Sequence, residues 1–231
     1  MTHSAATAGT RDQLAVAVER RPAARWAPLT GLAFVVLFLG GVVASNAPSD
    51  NASAASWVAA YTGGGKQFSH QATGVLLVLA ALSLMSFLVT VWSRASRLRP
   101  DNSQSPVPLA AAGVSAACIA VGGVLMAAGS SVARGFTSAD LTATATLLRF
   151  TNDTGFIMVA VPGMLAAALA VAGLSVQARR AGLFGRRMEV FGIAVAVILL
   201  GSLAFIPIVA LLVWLVAASV VLVRRSAPAS R

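Results

Sequence analysis

The sequence predicts an all-α, polytopic transmembrane bundle of six helices with both termini on the cytoplasmic side. Three observations predict it: an apolar composition, uncharged runs of bilayer length, and a one-sided distribution of arginine. Of 231 residues, 58% are hydrophobic and 10% charged, against roughly 25% charged and 45–50% apolar in a soluble domain. The apolar residues form long runs rather than the stripe of a surface helix, so most helices are apolar around their circumference and need lipid as solvent. A net charge of +10 would suggest nucleic acid in a soluble protein. Here the basic residues stand between the apolar runs, which excludes that reading and points to membrane topology.

A helix crossing a hydrocarbon core of ~30 Å needs about 20 apolar residues. Residues 1–25 are polar and basic, and read as a disordered cytoplasmic tail with at most a short helix at 14–21. Residues 26–225 form the membrane domain, with spans at about 27–45, 71–92, 107–129, 155–177, 189–203 and 205–223, and 226–231 form a second tail. Ala44-Ser45-Asn46-Ala47 resembles a signal-peptide cleavage site, but the run before it exceeds a typical signal core and carries the packing pair Gly40-Gly41, so the first span is expected to stay attached. The final 34 residues from Val190 to Val223 hold no charge and would make one helix of roughly 50 Å. A hairpin turning near Gly201 and Ser202, with Pro207 opening the last helix, resolves that excess. Pro162 is expected to kink the fourth span.

The arginines set the orientation. Fourteen of the seventeen basic residues fall in the N-terminal tail, in the 94–99 and 179–187 connections, and after residue 223; only Lys66, Arg134 and Arg149 fall on the other face. The arginine-rich face is cytoplasmic by the positive-inside rule, which makes this a multi-pass protein of the plasma membrane. Sixteen Arg against one Lys, with abundant Ala, is the codon bias of a high-GC bacterial genome.

A shift of 82 positions aligns Gly31 with Gly113, Gly40-Gly41-Val42 with Gly122-Gly123-Val124, and Phe68-Ser69-His70 with Phe150-Thr151-Asn152. The pattern suggests a parallel tandem repeat of a two-helix hairpin. Each hairpin carries an outer loop of about 25 residues. In the first, Trp57 and Tyr61 are one turn apart and share a helical face. In the second, Thr137 is placed to cap a helix bearing Leu141, Ala145 and Leu148 on one side. Short outer helices lying over the bundle are the expectation, and irregular loops the alternative. Small residues at four-residue spacing, Gly113 with Ala117 and Gly163 with Ala167, are candidates for close helix contact.

Ionisable side chains at bilayer depth mark transporters and membrane enzymes, and the predicted spans carry no Asp, Glu, His, Lys or Arg there, Glu189 standing at the end of the fifth span. No phosphate loop, dinucleotide fingerprint, zinc-protease helix or nucleophile elbow occurs; Gly63-Gly64-Gly65-Lys66 reads as a flexible turn. His70 has no partner histidine for haem, and Cys118 reads as a small buried hydrophobe, so no catalytic residue, cofactor or metal is expected. The candidate functional residues are His70, Trp57, Tyr61 and Asp153, all in or beside the outer loops. The stretches Leu29-Thr30-Gly31-Leu32-Ala33-Phe34 and Ser56-Trp57-Val58-Ala59-Ala60-Tyr61 resemble an uncharacterised family of actinobacterial multi-helix integral membrane proteins, over roughly residues 29–92. That resemblance implies architecture and location and names no catalytic residue. Two functional classes stay open: a non-enzymatic scaffold, accessory subunit or envelope sensor, with the bilayer and another membrane protein or a second copy as partners; and a small permease for apolar or amphiphilic compounds. The second class calls for a polar-lined cavity near midplane, for which Ser83, Ser86 and Thr90 are the candidates.

Overall fold

The computed structural model describes residues 26–45, 47–49, 51–99, 105–135, 140–201 and 207–226. Its helices are α1 (Thr30–Ala44, entered through the 3-10 turn Ala27–Leu29), α2 (Ala54–Thr62), α3 (Gly64–Leu98), α4 (Val107–Gly135), α5 (Leu141–Met158), α6 (Met164–Arg180), α7 (Arg186–Leu200) and α8 (Pro207–Ser226). A π turn, Val159–Gly163, joins α5 to α6, so the segment from Leu141 to Arg180 is one continuous rod of 40 residues. The expected tail helix at 14–21 and the Thr137 cap lie outside the described residues.

Five helical segments are long and apolar enough to cross a membrane: Ala27–Ala44, Gly64–Leu98, Val107–Ala133, Leu141–Arg180 and Pro207–Arg225. The fold is therefore that of a multi-pass membrane protein. α7, with 15 residues, rises only ~22 Å and falls short of a full crossing by length alone. The uncharged C-terminal run nevertheless breaks where expected. Leu200 ends α7, Gly201 closes its last turn by donating its N–H to the Ile198 carbonyl, and Pro207 opens α8. α7 and α8 pack together, and Arg225 Nη1 near the end of α8 donates to the Gly182 carbonyl just before α7. The second arm extends through Ser226.

Other contacts gather the arginine-bearing ends. Gln177 Nε2 on α6 donates to the Ser105 carbonyl before α4 at 2.8 Å, and Arg179 pairs with Glu189 at 3.7 Å. α6 stops through a Schellman closure. Leu183 N–H reaches back to the Ala178 carbonyl and Gly182 N–H to that of Arg179, with Gly182 at φ +75°, a conformation that favours a residue without Cβ. Leu183 and Phe184 then fold under the bundle and are buried.

Glycine sets the central packing, at some of the expected positions and not at others: Gly41 is buried against Leu77, where a Cβ would lie at 3.1 Å, and Gly163 and Ala167 are buried. Gly113 has no neighbour where a Cβ would stand, and Ala117 is exposed, so that pair makes no helix contact. Instead a Cβ on Gly155 would lie 2.6 Å from the Gly122 carbonyl oxygen, and one on Gly74 would lie 2.6 Å from Ala127. These contacts draw α4 onto α5 and α3 onto α4, as expected where lipid supplies no hydrophobic force between helices. Around them pack Phe34, Leu77, Leu84, Phe87, Ile119, Leu174 and Trp214, all buried.

Pro162 produces a π turn rather than a simple kink. Its ring nitrogen cannot serve the Met158 carbonyl four residues back; a five-residue pattern hands that carbonyl to Gly163, whose Cβ position lies 3.2 Å from it.

Candidate functional site: the outer aromatic cap

α3, with 35 residues, and the Leu141–Arg180 rod are each longer than a hydrocarbon core requires. Their ends away from the arginine-rich connections build a cap with α2. Ser53 starts α2 by accepting the Ser56 N–H at 3.2 Å, and Gly63, extended at φ −70° and ψ 130°, ends it and turns the chain into α3. The stretch Gly64–Lys66 belongs to that helix, so the expected flexible turn narrows to Gly63. α5 starts at Leu141, capped by Asp140, whose Oδ1 accepts the Ala143 N–H at 3.0 Å. The second outer helix thus runs on into the span instead of lying over it as a separate piece. Asn152 and Asp153 are helical positions there, Asn152 half-buried and Asp153 exposed.

Trp57 and Tyr61 share a face as expected, with ring centroids 6.3 Å apart. That face points inward: both rings are buried rather than resting in the headgroup zone. Ala60, Ala133, Ala145 and Leu148 complete a small hydrophobic cluster separate from the membrane core. Leu141, expected on the same side, is exposed. The Tyr61 ring lies flat against His70, at 3.9 Å between centroids and 8° between planes. On its other side it meets Gly129, where a Cβ would stand 2.8 Å from Tyr61 Cε1.

Arg149 closes the cap from α5. Its guanidinium lies 5.6 Å from the Trp57 ring centroid, a cation–π arrangement, and its Nη2 donates to the Ala52 carbonyl ahead of α2. Asp153, one turn further along α5, is exposed, and its Oδ1 accepts from Asn152 Nδ2 at 3.3 Å. Its charge reaches Tyr61. Burial first, and the Asp153 carboxylate second, push the Tyr61 hydroxyl from 10.0 up to about 12. Four polar atoms in this cap are buried without a protein partner: Trp57 Nε1, Tyr61 Oη, His70 Nε2 and Arg149 Nε.

The structure thus brings Trp57, Tyr61 and His70 into one stack and sets Asp153 where its charge acts on it. Arg149 and Gly129 belong to the same unit and were not among the expected residues. Arg149 was legible only as one of three outer basic residues, and Gly129 only as the end of a predicted span.

One helical turn below the cap lies an apolar cavity of about 270 Å³ among α1, α3, α4, the π turn and α8. Thr73, Met126 and Phe156, which line it, stand three residues from His70, Gly129 and Asp153 respectively. Ser83, Ser86 and Thr90 take no part in it. Ser86 is exposed and donates to the Leu82 carbonyl, and Thr90 donates to that of Ser86, both at 2.8 Å, so these hydroxyls are satisfied within their own helix. The cavity is apolar and is lined by none of the three hydroxyls expected to mark a polar one. Among the described residues, no group of three His, Cys, Asp or Glu is placed to hold a metal ion. Comparisons of the chain with protein-family models, with curated proteins and with solved structures find no match.

Proposed function

We propose that this protein is a six-span plasma-membrane protein with both ends on the arginine-rich cytoplasmic side, and that it serves as a non-enzymatic accessory or sensing subunit through its outer cap. One observation carries the reading: unpartnered buried polar atoms converge with a cation and aromatic rings in the cap, while the stretches 71–92, 107–129 and 155–177 hold no ionisable side chain for coupled transport. The sixth span is supported by the Gly201 break and by the contact between Arg225 and Gly182. The repeat rests on the sequence matches, since residues 29–92 carry a separate outer helix, α2, where the second segment runs as one rod from Leu141 to Arg180; overlay of the two hairpins is its measure.

The test is recovery of partners after crosslinking in intact cells and purification in mild detergent. A reproducible membrane-protein partner is expected with the wild-type chain and is expected to be lost with Trp57→Ala. The second reading, a permease for apolar or amphiphilic compounds, is favoured by the apolar cavity. It requires amphiphile flux in proteoliposomes above that of protein-free vesicles, and that result without any partner would replace the first reading.

A further inference from the structure

The cavity beneath the cap has a definite chemistry. Its lining is almost wholly apolar, with Phe38, Leu77, Met126, Phe156, Ala160 and Ile208 on its walls. Among the described residues two hydroxyls reach it, and both are already committed: Ser45 Oγ donates to the Val42 carbonyl at 2.8 Å, and Thr73 Oγ1 lies 3.1 Å from the Ser69 carbonyl and 3.3 Å from that of Gly41. A water molecule needs two to four polar partners to stay in such a place. The site therefore selects hydrocarbon.

Size and access narrow the ligand. An apolar hole of about 150 Å³ accepts benzene, so 270 Å³ suits a chain of about ten carbon atoms. Phe156 lines the cavity and is 40% exposed, so one side chain joins the cavity wall to the surface of the rod. Val159 and Ala160 belong to the π turn, so the local widening of the helix falls on the cavity wall. Single π turns inside α-helices frequently accompany functional sites.

We infer that this cavity is a binding site for one hydrocarbon chain of an amphiphile, entered sideways from the outer leaflet past Phe156, with the polar end of the molecule at the level of the cap. The inference goes beyond the accessory reading. It rests on that reading only for the orientation that makes the cap the outer end, and it is independent of whether the cap recruits a partner.

The full chain is placed in phosphatidylglycerol nanodiscs holding a trace of phospholipid with a diazirine midway along one acyl chain. A parallel sample receives a diazirine-bearing decanol. Illumination and peptide mapping then locate the label. Label is expected on Met126 and on residues 156–160, and unlabelled decanol is expected to reduce it about tenfold while sparing label on the lipid-facing Val36 and Leu82. Ala160→Leu and Val42→Phe fill the cavity from different helices, and each is expected to reproduce that loss. The competition arm needs no variant, so a folding failure in either substitution leaves the test intact. Label from the phospholipid identifies a membrane lipid as the source, and label from decanol alone a free amphiphile. Label at 126 and 156–160 that resists both competition and filling, or that is absent while Val36 and Leu82 are labelled, overturns the proposal.

Discussion

In the membrane core, Gly122 and Gly155 bring two backbones together until a single Cβ would lie 2.6 Å from a carbonyl oxygen. In the cap, Trp57, Tyr61 and His70 fill the space with stacked rings, and Arg149 lies over the outermost. The two regions belong to the same helices but face different solvents. Lipid offers helices no hydrophobic gain on meeting, so the core depends on close approach and dispersion. Beyond the core, burial of large aromatic surface from water does the joining. The lesson is that α4 meets α5 through glycine in the core and meets the rings of α2 through Gly129 in the cap, and that the two regions fail by different routes.

The largest effect is expected from Gly155→Val. The new side chain meets the Gly122 carbonyl and Met126 N, backbone that cannot rotate away, so a loss of about 3 kcal/mol or more is expected in thermal unfolding in detergent. An unchanged melting temperature would mean that α4 and α5 slide apart freely. Trp57→Ala should act on the cap alone. Removing that buried ring is expected to cost about 3 kcal/mol locally, read as amide exchange across residues 54–62 roughly a hundredfold faster, with Leu84 and Phe87 in the core unchanged. Equal acceleration in both places would show one cooperative unit instead of two.

The smallest effect is electrostatic. Tyr61 is the one tyrosine in the sequence, so a near-ultraviolet absorbance titration reports it alone, and its midpoint is expected near about 12 in the folded protein. Because the fold disfavours the phenolate, the unfolded chain loses this proton first as pH rises past 10.0. Stability is expected to fall from there towards pH 12, and the group contributes no pH dependence below. Asp153→Asn should lower the midpoint only in part, since burial is the larger cause. A midpoint at 10 would mean that the ring is open to water.

Much of the bundle was legible because its signals are local: an uncharged run and an arginine at its end can be read without knowing what packs where. Pro207 at the head of α8 and Leu200 at the end of α7 follow from them. The helix from Leu141 onward was less legible, since Asn152-Asp153-Thr154 reads as a loop if the membrane is assumed to begin beside it. The pairing of Trp57 with Tyr61 needed only helical spacing. Their burial against His70 and Gly129 depended on the sharp turn at Gly63, which returns α3 beneath α2, and no periodicity encodes that return. Small-residue spacing alone could not separate Gly113, which touches nothing, from Gly122, which touches backbone, because both stand in similar Ala-rich surroundings.

The π turn at Val159–Gly163 also divides its rod into two independently aimed halves. One surplus residue advances the angular register of every later position by about 100°. α5 can thus direct Gly155 at Gly122, while α6 presents Ser175 to Gly192 on α7. Deleting a single residue in this stretch would re-index all of α6 against its neighbours without altering any of its side chains.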